Sequence, residues 1–201
     1  MQASLFGPEP VELPDATLDY FPEAYDRAQA DELLAQLMTQ LHWRQDRICL
    51  YGKKVNIPRL QAWYGDSSAN YRYSGLTMQP RPWLPVLEAI KLRCERLADC
   101  RFNSVLANLY RDGNDAMGWH SDDEPELGSR PVIASVSFGA ERGFDLRHKK
   151  TGQKVRLPLA HGSVLIMRGD TQKCWQHGMA RTKKITSPRV NLTFRWIHSV
   201  E

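Results

Sequence analysis

The chain has 201 residues, 42% hydrophobic and 25% charged, with 13 glycines and 12 prolines. This balance excludes a disordered, collagen-like or coiled-coil protein. At ~100 to 200 residues per domain it reads as one domain, and its net charge of +4 is too small to name a partner by itself.

No apolar run approaches the ~18 residues that cross a bilayer. Residues Met1 to Asp15 carry Glu9, Glu12 and Asp15 where a leader would be basic and then apolar, so this stretch reads as a flexible flank with no membrane address. Leu33, Leu34, Leu37, Met38 and Leu41 follow Ala30 at helical spacing, and Leu87, Ile90, Cys94 and Leu97 follow Trp83 in the same way, with Pro22 and Pro85 near the helix starts. Residues 16–101 are therefore expected to hold two helices. From Phe102 onward short Val-, Ile-, Leu-, Phe- and Thr-rich segments are cut by Gly, Asp, Pro and Lys clusters every ten residues or so, the pattern of a β-sandwich or barrel. Helices ahead of many short strands predict a mainly β fold with helices packed on one outer face of the core, residues 102–201.

The cysteines, Cys49, Cys94, Cys100 and Cys174, form no CxxC pair. This disfavours a zinc ribbon and suits a reducing compartment, the cytoplasm or the nucleus. Positive charge gathers at Lys53 and Lys54, at Arg147 to Lys150 and at Arg181 to Lys184. Each cluster suits a polyanion or an ordinary solvated loop.

Chemistry concentrates in the second half. From Arg189 to Trp196 polar and apolar residues alternate, so that Arg189, Asn191, Thr193 and Arg195 share one face and Val190, Leu192, Phe194 and Trp196 the other. If the polar face lines a barrel, its arginines need an anion, and a small dicarboxylate would supply bidentate partners. His120 and Asp122, two apart, can point the same way from a strand and share a metal ion. A second histidine would complete a facial triad, which leaves three positions of an octahedral Fe(II) open. Of His148, His161, His177 and His198, the first lies in a basic run, the second in a His-Gly turn and the last near the terminus. His177, beside Trp175 on an expected strand, is the best third ligand.

The series His120-x-Asp122, distal His177 and the alternating segment Arg189 to Arg195 resembles the signature of the AlkB family of Fe(II)/2-oxoglutarate dioxygenases. The likeness runs from about Tyr51 to Trp196, and its wording at His120 to Glu124, Ser135 to Gly139 and Leu157 to Ser163 is similar to the vertebrate nuclear DNA-repair members. It implies a double-stranded β-helix, or jelly roll. It also implies Fe(II) on His120, Asp122 and His177, with O2 and 2-oxoglutarate as co-substrates. Asn108, Tyr110 and Arg189 would hold 2-oxoglutarate with Asn191 and Thr193 in support, and Arg195 would contact its metal-proximal end and steady Asp122; the two arginine roles are interchangeable at this stage.

The same resemblance implies a nucleic-acid partner, alkylated DNA or else RNA, attacked after the damaged base leaves the stack. Tyr51, Gly52, Lys53 and Lys54 look like the family's hairpin finger, in which an aromatic fills the vacated stack and cations hold phosphate. The alternative for Tyr51 is an ordinary turn aromatic. Pro58 to Asp66 and Tyr71 to Gly75 match the family's lid. Tyr73 would stack on the base against His120 and Glu124 would accept from its exocyclic amine, with Tyr71, Arg72 and Arg147 completing the substrate contacts. The implied activity of this monomer is oxidative demethylation of 1-methyladenine- or 3-methylcytosine-type lesions. Rivals are an oxygenase of the same fold acting on a protein or small molecule, which needs no lysine-rich finger, and a non-catalytic nucleic-acid-binding module.

Overall fold

A computed structural model describes residues 8–50, 52–69, 71–73 and 76–198. In chain order these form β1 (Glu9–Pro10), β2 (Thr17–Phe21), α1 (Arg27–Gln40), β3 (Arg47–Leu50), β4 (Lys53–Asn56), β5 (Leu60–Gly65), β6 (Tyr71–Tyr73), β7 (Leu76–Met78), α2 (Pro85–Ala98) and β8 (Ser104–Tyr110). There follow β9 (Met117–His120), a one-turn 3-10 helix (Pro125–Leu127), β10 (Ile133–Gly139), β11 (Arg142–His148), β12 (Lys154–Leu159), β13 (Ser163–Arg168), α3 (Thr171–Cys174), β14 (Trp175–Met179) and β15 (Arg189–Arg195).

A major sheet runs β1-β2-β13-β10-β15-β8-β5 and a minor sheet β12-β11-β14-β9, every pair antiparallel. The hairpins β3-β4 and β6-β7 stand apart from both. This is the jelly-roll arrangement with both long helices on one side. Alternation decides which residues meet them. Val190, Leu192 and Phe194 of β15 join Ala134, Val136 and Phe138 of β10 and Val105, Ala107 and Leu109 of β8 in one apolar layer with Ala30 and Leu37 of α1 and Leu87, Ile90 and Cys94 of α2. The opposite faces of these strands look toward the minor sheet. There Ile133, Leu165 and Met167 pack with Phe144, Leu146 and Trp175 in a second apolar cluster.

Both helices form where the apolar spacing places them. Asp26 caps α1, its Oδ1 accepting from the Gln29 N–H at 2.8 Å, and Pro85 opens α2 at its first turn. Pro22 lies further upstream, so the cap and not the proline sets the start of α1. Trp83 precedes α2 and stacks against Phe194, with centroids 6.4 Å apart and planes at 8°.

Two expectations change. The flank to Asp15 is held from Pro8 onward: Glu9 and Pro10 pair with β2, Val11 and Leu13 pack on the second apolar cluster, and the Pro14 carbonyl accepts from Trp175 Nε1 at 2.8 Å. The first half also supplies β2 and β5 to the major sheet, so residues 16–101 are not merely helices and lid. Among the described residues no helix is long and apolar enough to cross a membrane.

Candidate active site

The polar face of β15 is buried. Arg189, Asn191, Thr193 and Arg195 are each 8% exposed or less, and they look across the interior at the minor sheet. Opposite them His177 on β14 pairs in register with His120 on β9, their ring centroids 4.3 Å apart. Asp122 follows two residues after His120, and the ligand atoms of His120, Asp122 and His177 all lie within 4.8 Å of one another. The sheet thus gathers three residues that the sequence separates by up to 57 positions (177 minus 120).

The charges are arranged for a cation. Burial alone would raise the Asp122 carboxyl, but Arg195 beside it, with the two histidines, brings it down to about 2. Arg195 donates from Nε and Nη2 to one oxygen, Oδ2, at 3.2 and 2.7 Å. Burial and the neighbouring His120 push the His177 imidazole down to about 3, so that it is neutral and keeps a lone pair for a metal. Gln172 Oε1 accepts from the Asp122 N–H at 3.0 Å, and Ser121 Oγ donates to the Trp175 carbonyl at 3.0 Å. Both bonds tie the segment carrying the first two ligands to the one leading into the third.

At the other end of β15 the chemistry suits an anion. Arg189 is 2% exposed, donates to Ser137 Oγ at 2.8 Å and to Met179 Sδ at 3.7 Å, and lies 5.4 Å from the Tyr110 ring centre. Among the described residues its Nε has no partner and no carboxylate pairs with it. Burial accordingly pulls the guanidinium down to about 10. A dicarboxylate would fill both needs. Asn191 donates to Ser135 Oγ and the Val136 carbonyl and accepts from Thr193 Oγ1. Asn108 and Tyr110 of β8 complete this wall, and Asn108 Oδ1 accepts from buried Arg59 at 2.8 Å. Counted with the open solvent at its mouth, the cavity spans about 620 Å³. Two imidazoles, one carboxylate and an uncompensated buried arginine fit Fe(II) and a small dicarboxylate.

The expected substrate residues are less gathered. Tyr51 lies outside the described residues, as do Ser74, Gly75 and the side chains of Tyr71, Arg72 and Tyr73. Gly52 has φ +77° in the connection between β3 and β4, and Lys53 is exposed on β4. Glu124 does not line the cavity; it precedes the 3-10 helix, and its buried Oε2 has no hydrogen-bond partner among the described residues. Arg147 does not line the cavity either. Alternation turns Phe144, Leu146 and His148 of β11 inward, so Arg147 lies on the outer face of the minor sheet, 4.6 Å over Trp119 and bonded to Gln176 Oε1 at 2.7 Å.

Two of the other histidines, His148 and His161, have structural partners. Asp15, His148 and Cys174 also bring ligand-type atoms within 4.8 Å. Yet His148 Nδ1 accepts the Lys150 and Thr151 N–H groups at 3.2 and 3.0 Å, so Nε2 carries the proton and donates to Asp15. That is a clasp for the amino-terminal segment. His161 Nδ1 accepts from the Gly139 N–H and its Nε2 meets Asp31. Sequence reasoning missed Arg59, Gln172, Ser135 and Ser137. The serines alone carried a signal, their period-two spacing on an apolar strand; Arg59 and Gln172 reach partners 49 and 50 residues away.

Comparison with known proteins agrees with this geometry. Residues 17–195 match the model of the 2OG-Fe(II) oxygenase superfamily. The chain is 45% identical over 188 residues to alpha-ketoglutarate-dependent dioxygenase alkB homolog 3 of Mus musculus, covering 89% of this chain and 65% of that one. It is 45% identical over 184 residues to DNA oxidative demethylase ALKBH2 of Homo sapiens, covering 86% and 70%. The chain thus spans about two thirds of the length of these relatives. The solved structure of OsALKBH1 superposes with a TM-score of 0.65 at 19% identity, covering 92% of this chain and 99% of that one, a likeness of fold.

Proposed function

Because the chain belongs to the AlkB family within the 2OG-Fe(II) oxygenase superfamily, we propose that it repairs N-alkylated bases of the 1-methyladenine and 3-methylcytosine type in nucleic acid by oxidative demethylation. The observation that carries this reading is the pairing, within one cavity, of half-buried His120 and buried Asp122 and His177 with the unneutralised Arg189. When bound, Fe(II) and 2-oxoglutarate supply activation of O2 coupled to decarboxylation of the co-substrate.

The chain's own residues supply position and charge. His120, Asp122 and His177 hold the metal; Arg195 occupies Asp122 Oδ2, so the carboxylate offers Oδ1. Arg189 and Tyr110 receive the distal carboxylate of 2-oxoglutarate, while Asn108 directs its amide into the same space under restraint from Arg59. The apolar wall of Leu106, Phe144 and Met167 limits water. Hydroxylation of the N-alkyl carbon leaves a hemiaminal that collapses to free base and aldehyde, a sequence that requires no side-chain nucleophile. The relatives' names support the nucleic-acid substrate: one is a DNA oxidative demethylase. The exposed hairpin with Lys53 and Lys54 is a cationic element suited to phosphate. The proposal includes action as a monomer in the cytoplasm or nucleus.

The test is incubation with Fe(II), 2-oxoglutarate and oligonucleotides carrying 1-methyladenine or 3-methylcytosine, single- and double-stranded. Loss of the methyl mass with matching succinate is expected, and abolition of both in His120→Ala, Asp122→Ala and His177→Ala. Succinate formed without demethylation of any oligonucleotide would move the substrate to a protein or small molecule; no succinate at all would leave a binding module.

A further inference from the structure

Two connections adjoin the Arg189 end of the cavity: residues 111–116, between the lining residues Tyr110 of β8 and Met117 of β9, and residues 180–188, between Met179 of β14 and Arg189 of β15. They are zipped together. Gly113 donates to the Ile185 carbonyl at 2.8 Å and accepts from the Thr182 N–H at 2.9 Å. A Cβ at Gly113 would stand 2.0 Å from the Thr182 oxygen, so the approach requires glycine.

One side chain spans both connections. Arg142, at the start of β11 and 3% exposed, donates from Nη1 to the Asp112 carbonyl at 3.0 Å and from Nη2 to the carbonyls of Asp115 and Ala180 at 3.1 and 2.8 Å. The Asp115 carboxylate is engaged elsewhere, by the Arg111 backbone N–H, Nε and Nη2 at 2.8 to 2.9 Å. Arg142 therefore serves as a three-carbonyl clamp, a task for a planar fork and not for a point charge. Its guanidinium carbon also lies 5.9 Å from the centre of the Tyr110 ring, the ring that Arg189 approaches to 5.4 Å. Tyr110 is thus shared by two buried guanidiniums, one directed into the cavity and one gripping the loops around it.

We propose that Arg142 is a positioning residue for the co-substrate: by clamping the two connections and fixing the Tyr110 ring, it sets the pocket in which Arg189 takes the distal carboxylate. This rests on the reading that Arg189 holds that carboxylate. The effect is local to one end. Arg195, the partner of Asp122, is anchored at the far end of β15, six residues along the strand from Arg189.

The test measures binding, not turnover. The Mn(II)-loaded protein is titrated calorimetrically with 2-oxoglutarate and with 2-oxobutyrate, which has the same metal-chelating end and no distal carboxylate. Arg142→Met and Arg142→Lys are each expected to lose about tenfold in 2-oxoglutarate affinity, as misplacement of a binding group does, with 2-oxobutyrate affinity and Mn(II) affinity unchanged. Arg142→Lys keeps charge and reach, so it answers the question even if Arg142→Met fails to fold. Equal losses for both ligands, or none for 2-oxoglutarate in Arg142→Lys, would overturn the inference. Arg189→Met is the control: undiminished 2-oxoglutarate binding there overturns the carboxylate assignment and the inference with it. Loss there without loss in the Arg142 variants overturns the inference alone.

Discussion

Arg195 meets Asp122 with two nitrogens on a single carboxylate oxygen, Nε at 3.2 Å and Nη2 at 2.7 Å from Oδ2. The other oxygen, Oδ1, faces His120 Nε2 at 3.9 Å. This division leaves Oδ1 as the oxygen that a metal on the proposed triad would take, while Oδ2 is held by the protein. Arg195→Lys is expected to keep a cation near Asp122 but lose the fork. Metal affinity should then fall by ~10- to 100-fold, the usual effect of removing the partner of a ligating group. Arg195→Met should also cost about 3 to 5 kcal/mol of stability, because it leaves a buried carboxylate without its cation. Calorimetric Mn(II) titration and thermal melts check the two effects; unchanged metal affinity in Arg195→Lys would show that the fork does not orient the ligand.

Arg189 predicts an effect of opposite sign on stability. Burial pulls its guanidinium down to about 10, so the native state disfavours the cation at every pH below that value, and the penalty is relieved only as pH rises through it. Removing the charge at pH 7 removes the penalty. Arg189→Met, similar in volume and apolar, should therefore melt at a higher temperature than the parent without co-substrate, and should lose the rise in melting temperature that 2-oxoglutarate gives the parent. A lower melting temperature would mean that the bonds to Ser137 and Met179 outweigh the cost of burying the charge.

These two arginines show how much the sequence made legible. The alternation from Arg189 to Trp196 identified both faces of β15, because a strand repeats every two residues and nothing else in the fold disturbs that period. The His120, Asp122 and His177 cluster was readable for the same reason: each sits on or beside a strand with its inward face fixed by neighbours. The same period puts Arg147 on the outer face of β11, since His148 and not Arg147 shares a face with Phe144 and Leu146. Arg142 and Gln172 gave no signal, and Arg59, though inside the segment likened to the lid, gave none of its partner. Their partners lie 27 to 50 residues away and are often backbone atoms, which any residue type supplies. The strands β2 and β5 were hidden by their position among helices; Ala62, Trp63 and Tyr64 are buried on both faces and show no alternation.

The cysteines give a labelling prediction. Cys94 is fully buried on α2 and its thiol is pushed far up by burial; that of Cys100 is raised as well, by burial first. Since the thiolate is the nucleophile, iodoacetamide at pH 8 should leave Cys94 unmodified in the native protein and alkylate it fully in denaturant. Mass spectrometry after timed quenching measures both. Modification of native Cys94 at the rate of an exposed thiol would mean that α2 opens from the sheet.

The last prediction concerns the β3-β4 hairpin, whose strands, among the described residues, form a two-stranded sheet of their own that leaves Lys53 and Lys54 exposed on β4. Its connecting residues are Tyr51, outside the described residues, and Gly52 at φ +77°, a conformation that suits a tight hairpin turn. Such a projection can enter a duplex where a flipped base has left the stack. If Tyr51 fills that gap, Tyr51→Ala should lose more demethylation on duplex than on single-stranded substrate, because only the duplex has a stack to repair, at a cost of a few kcal/mol. Lys53→Ala and Lys54→Ala should act through charge instead. Each is expected to weaken binding to every sequence and to lower the salt slope by about one phosphate contact. Demethylation rates in both strand states, with affinities measured across a salt series, separate the two roles. Equal loss on single and double strands in Tyr51→Ala would assign Tyr51 to the pocket or the turn and remove the wedge.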